Sequence, residues 1–68
     1  MNNWQRVFSD MFEYRAEIVV AVLEDKGLQP VKISKRDTAY QLGHFEVHVP
    51  PEEVIRAIKI INDDIKFE

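Results

Sequence analysis

The chain has 68 residues, with nine basic against twelve acidic side chains, a net charge of -3, two histidines and no cysteine. Without cysteine, disulfides and thiolate metal sites are excluded, and two histidines with no ligand spacing around them do not make a structural zinc site. Both signs of charge are scattered along the chain, which argues against electrostatic capture of nucleic acid.

A chain this short forms a single domain, 1–68, that buries only about 60% of its unfolded surface, so its stability is marginal unless something reinforces the core. With disulfides and metals set aside, self-association is the remaining reinforcement. Met1, Asn2, Asn3 and Trp4 do not form a basic segment leading into an apolar stretch. No run approaches the ~18 apolar residues of a membrane span, so a cytoplasmic protein without membrane contact is expected.

Trp4 to Phe8 reads as a first strand, although Trp4, Arg6 and Phe8 alternate ambiguously with Gln5 and Val7. Asp10 followed three residues later by Glu13 has the form of a capping box, which predicts a helix from about Met11 to Lys26. Gly27 ends it, because glycine reaches the left-handed conformation without a Cβ penalty and lets Leu28 fold back on the last turn. Phe12, Ala16, Val19, Val20 and Leu23 share the predicted core arc. A second apolar strip of Tyr14, Ile18, Ala21 and Val22 lies outside that arc and needs a cover, supplied by the tail, by the other helix or by a second subunit.

Val31 and Ile33 alternate with Lys32 and Ser34 in a second strand, which Pro30 places at a sheet edge or starts late. The connection Lys35 to Gly43 is longer than a hairpin needs. Lys35, Arg36, Asp37, Thr38 and Tyr40 there offer donors and acceptors for an anion or a peptide, against the plainer reading of a solvated loop. Phe45, Val47 and Val49 alternate with His44, Glu46 and His48 in a third strand. Residues two apart on a strand are ~6.5–7 Å apart and the histidines ~13 Å, so both cannot ligate one ion, and a solvated polar face is expected with no metal or other cofactor.

Pro51 suits the first position of a second helix from about Glu52, with Val54, Ala57, Ile58, Ile61 and Ile65 as its buried stripe. Asn62, Asp63 and Asp64 are poor residues near a negative helix end, so fraying is expected there, with Ile65 to Glu68 as a possible last strand. The order β-α-β-β-α(-β) is that of an α+β, ferredoxin-like split βαβ sandwich, with both helices on one face of a three- or four-stranded sheet and the third strand between the first two.

Trp4 and Phe8 on an uncovered edge strand invite sheet extension by another copy. Trp4, Arg6 and Phe8 on the open side would instead join Lys32 and His48 in an aromatic and basic platform for RNA, disfavoured by the acidic total. Signatures of catalysis are absent: there is no glycine-rich phosphate loop, no cysteine nucleophile and no serine in a nucleophile-elbow context.

Read together, the phrase from Glu17, Ile18 and Val19 through Leu23, Glu24, Asp25, Lys26, Gly27 and Leu28 resembles the "AEIvkalLEdnGI" pattern. Val47, His48, Val49 and Pro50 with Ala57, Ile58, Lys59, Ile60 and Ile61 are similar to "vyVPeedaerAlkil". Both patterns belong to small bacterial domains of unknown function labelled as prokaryotic signal-transducing proteins. The resemblance spans nearly the whole chain and implies a ferredoxin-like fold of the kind seen in regulatory and sensing domains, with no ligand attached to it. The zinc-ribbon-like extension of some members does not carry over to a chain without cysteine, and Ile18 to Val22 is more continuously apolar than the pattern.

These readings lead to a non-catalytic regulatory module. A protein or small anionic ligand is expected at Lys35, Arg36, Asp37 and Tyr40, and self-association as a homodimer at Tyr14, Ile18 and Val22 or at Trp4 and Phe8.

Overall fold

The computed structural model describes residues 3–37 and 42–67. Its elements are β1 (Gln5–Asp10), α1 (Glu13–Asp25), β2 (Val31–Asp37), β3 (Leu42–Val49), a 3₁₀ turn (Pro51–Glu53) and α2 (Val54–Asp64). The three strands form one sheet in the order β1-β3-β2, with β3 antiparallel to both neighbours. The chain is therefore α+β, two helices with a three-stranded antiparallel sheet, and β2 starts just after Pro30 at an edge.

Helix α1 begins later than the capping-box reading predicts. β1 runs through Asp10, and the helix N-cap is Phe12, which makes no side-chain cap. Asp10 instead accepts a hydrogen bond from the Phe12 amide at 2.9 Å and pairs with Arg15, so the carboxylate shapes the turn into the helix without capping it. Phe12 falls outside the helix and is 49% exposed rather than in the core.

The far end of α1 follows the sequence. Gly27 has φ +88, the Leu28 amide bonds the Leu23 carbonyl and the Gly27 amide bonds that of Glu24, both at 3.0 Å. That pair of bonds is the Schellman closure, and it delivers Leu28 into the core.

The core lies between the helices and one face of the sheet. Ala16, Val19 and Leu23 of α1, Ala57 of α2, and Val47 and Val49 of β3 are fully buried, with Phe8, Phe45, Val54, Ile60 and Ile61 packed around them. Ile58, predicted in the α2 stripe, is 43% exposed, and Ile60 takes its place. At about 100° per residue, Ile58 sits 100° from Ala57 on the wheel while Ile60 sits 60° away, which decides between them.

Two further expectations fail in the same region. The helix does not fray at Asn62 but continues to Asp64, where Lys59 lies 3.7 Å from Asp63 and Lys26 lies 3.8 Å from Asp64. Ile65 to Phe67 is not a strand; Ile65 and Phe67 pack against the core, with the Phe67 ring 5.8 Å from that of Phe8. Glu68 lies outside the described residues.

Register decides which side chains meet. On β2, Lys32 opposes Val47, Ile33 opposes Glu46 and Val31 opposes His48. Lys32 is thus on the helix side, not on the open side with His48 as the platform reading required. Its ammonium bonds Glu13 at 2.6 Å and Glu17 at 3.1 Å, and the Glu13 bond, then that from Glu17, raises its pKa. Val31 and Ile33, although β2 is next to β3, share the open face rather than the one that holds Val47.

β1 carries an irregularity that resolves its ambiguous alternation. Arg6 pairs with His48 and Phe8 with Val47, so two residues on β1 span one step on β3, as in a β-bulge at Val7. Arg6 consequently shares the open face with His48 while Phe8 shares the covered face with Val47.

Candidate binding site on the open sheet face

Among the described residues, one side of the sheet carries no helix. Across it, Arg6, His48 and Val31 form one row, Ser9, Glu46 and Ile33 the next, and His44 and Lys35 the third. β3 supplies the centre of every row, because His44, Glu46 and His48 alternate with the residues it sends into the core.

Glu46 is the unusual member. It is only 6% exposed, although no helix or strand among the described residues packs on this side of the sheet. Its cover is its partners: His48 Nε2 is 2.8 Å from one carboxylate oxygen, His44 Nε2 is 2.9 Å from the other, and Arg6 reaches the latter at 3.4 Å. The His48 hydrogen bond, followed by those from His44 and Arg6, outweighs burial and lowers the Glu46 carboxyl from 4.5 to about 2.

The solvated polar face expected for these three residues is therefore corrected at Glu46. The histidines are too far apart to share an ion, but the intervening carboxylate has two oxygens and reaches both. Alternation at positions i, i+2 and i+4 was the available signal. Among the described residues, no group of three or more His, Asp or Glu could hold a metal ion.

The predicted ligand residues divide. Lys35 is exposed and opposes His44 on the open face. Arg36 and Asp37 are backbone members of β2, opposite Gly43 and Leu42, so both ends of the connection expected over Lys35 to Gly43 are strand. Tyr40, with Thr38, lies outside the described residues.

The predicted self-association residues divide as well. Tyr14 is 56% and Ile18 42% exposed, on the side of α1 away from Ala16, Val19 and Leu23, and Val22 is half-buried. Among the described residues, Tyr14 and Ile18 of this strip are left exposed. The tail lies instead against Phe8 and Arg15, whose guanidinium is 5.1 Å from the Phe67 ring and 5.3 Å from that of Phe12. Trp4 is half-buried ahead of β1, and Phe8 belongs to the covered face, which removes it from an open-face RNA platform.

No helix among the described residues is long and apolar enough to cross a membrane. No family model, curated protein or solved structure matches the chain.

Proposed function

We propose that this chain is a non-catalytic regulatory module of the bacterial cytoplasm, acting in signal transduction, that works as a homodimer and recognises a protein or small anionic ligand. The reading is supported above all by the outward strip of α1. Tyr14 and Ile18 leave apolar area in water directly opposite the residues that make the core, and a domain this small gains most from burying such area against a second copy. Met11 and Phe12, also exposed, widen the patch at the start of the helix.

A ferredoxin-like arrangement fits the element order and the placement of β3 between β1 and β2. The phrases around Gly27 and Pro50 that resemble the small signal-transducing domains favour the same assignment. The ligand reading draws on Lys35 beside His44, with Arg36 and Asp37 following along β2 toward Tyr40.

Light scattering of the purified chain tests the dimer. A mass of twice 8.0 kDa at tens of micromolar that reverts to the single mass in Ile18→Glu, with unchanged circular dichroism, is the expected outcome. A single mass at several hundred micromolar contradicts it, and a dimer unaffected by Ile18→Glu moves the contact off this helix.

A further inference from the structure

The exposed strip of α1 has the spacing of a helix seam. Tyr14, Ile18, Ala21 and Asp25 follow one another at steps of four, three and four residues, the repeat that keeps a line of side chains facing a second helix. At ~100° per residue all four fall within about 40° of Tyr14, opposite the buried Ala16, Val19 and Leu23. Tyr14, Ile18 and Ala21 are exposed. The opposite side of α1 is already fixed in the core, so the strip is presented on a formed helix, and 13 residues suffice where an isolated helix of that length is marginal.

The two sides of the seam differ in charge. Glu13, Glu17 and Glu24 lie on the flank toward β2, where Lys32 bonds the first two, so three carboxylates share one ammonium. Arg15 and Lys26 lie on the other flank, toward the tail and α2. Asp10 and Asp64 balance them, and the Arg56 guanidinium stands beside Lys26, 2.8 Å from its carbonyl oxygen. After these pairings are counted, one flank keeps an acidic excess and the other does not.

That asymmetry selects an orientation. In an antiparallel pair of α1 helices like flanks meet, and the two acidic flanks oppose each other. In a parallel pair each acidic flank meets the Arg15 and Lys26 flank of the other copy. Resting on the reading of this strip as a homodimer contact, we propose that two copies pack α1 against α1 in parallel, with Tyr14, Ile18 and Ala21 each meeting its own equivalent across a two-fold axis along the helices. Ile18 fills the centre, and the small Ala21 lets the helices approach closely. Asp25 makes the one like-charge meeting, at the last residue of the helix, where it is open to screening solvent and followed by Lys26.

The absence of cysteine permits a test by disulfide trapping. Tyr14 and Ala21 are about 10 Å apart along the axis. The two-fold of an antiparallel pair crosses the helix at one level, so at most one of these positions can lie next to its own equivalent, whereas a parallel pair brings both together. Tyr14→Cys and Ala21→Cys, each treated alone with oxidised glutathione, are therefore both expected to give linked dimers on a non-reducing gel, about fivefold or more faster than Glu24→Cys on the flank. Glu17→Gln combined with Glu24→Gln gives a second reading without cross-links. Removing the acidic excess weakens a parallel dimer by about twofold or more at low salt and tightens an antiparallel one, as read from light scattering against concentration.

Linking at only one of the two positions, linking no faster than in Glu24→Cys, or unchanged or tighter association of the double glutamine variant overturns the proposal. Should Tyr14→Cys lose the dimer mass, the glutamine variant decides the matter. A dimer mass that persists alongside an adverse result keeps the homodimer and discards the parallel arrangement, and a single mass for the parent at several hundred micromolar ends both.

Discussion

The two faces of β3 are stabilised by different physics, although they belong to the same eight-residue strand. Toward the helices, Val47 and Val49 are fully buried against Ala16, Val19 and Leu23, and the contribution comes from apolar area and close packing. Toward the open side, Glu46 reaches nearly the same burial beneath two imidazoles and a guanidinium, and the contribution depends on both carboxylate oxygens keeping their partners. The core of the covered face holds no titrating group and responds to lost volume, whereas the open face responds to the charge of Glu46.

Substitutions can break that contrast, and the largest effect belongs to the covered face. Leu23→Ala removes a fully buried side chain and should cost about 2–5 kcal/mol, measured by urea unfolding; in a domain of this size that is most of the available stability. A loss below about 1 kcal/mol would mean that the core lies elsewhere.

On the open face, Glu46→Ala leaves His44, His48 and Arg6 without their shared acceptor and should cost about 1–2 kcal/mol near neutral pH. The cover there is a single layer of side chains, which limits the loss. A variant as stable as the parent would show that the cluster is merely solvated.

Acid sharpens the same contrast without mutation. The folded Glu46 carboxyl, at about 2, lies below its ordinary 4.5, so protons favour the unfolded chain in this range. The Glu46 contribution is complete above about pH 4.5 and declines as the pH falls through 2. Stability measured across that window should fall in the parent and fall less steeply in Glu46→Gln, whereas parallel curves would assign the acid sensitivity to other carboxylates.

Lys32 provides the smallest effect. Its ammonium joins Glu13 and Glu17 of α1 at the rim of the covered face, where solvent screens ion pairs. Lys32→Ala should lower the melting temperature slightly at low salt, and the difference should vanish near about 1 M salt. A large, salt-independent loss would indicate a packing role for the lysine stem.

The ends of the elements were legible where a residue has one physical option. Gly27 alone tolerates the positive φ that closes α1, and Pro30 and Pro51 mark where β2 and the 3₁₀ turn begin. Alternation in β2 identifies two faces but not which is covered, because Lys32 can reach acids on α1 as readily as it can face water. Nothing in Gln5 to Asp10 announces the extra step at Val7, so Phe8 could not be assigned to the core from spacing alone. Ile58 fails because a short helix rests on a narrow arc, and the arc is chosen by its neighbours.

The candidate site was legible as residue types and not as an arrangement. His44, Glu46 and His48 stood out by their alternation, yet distance between the histidines directed attention away from the carboxylate that joins them. Lys35 was selected for its loop, whereas its position opposite His44 comes from strand pairing that extends further than the polar sequence suggests.

Carbon-detected NMR of the Glu46 carboxyl across an acid titration tests the account most directly. A midpoint near the value of about 2 shows the carboxylate held between His48, His44 and Arg6 in solution. A midpoint close to 4.5, the ordinary value, would contradict both the cluster and the open face built around it.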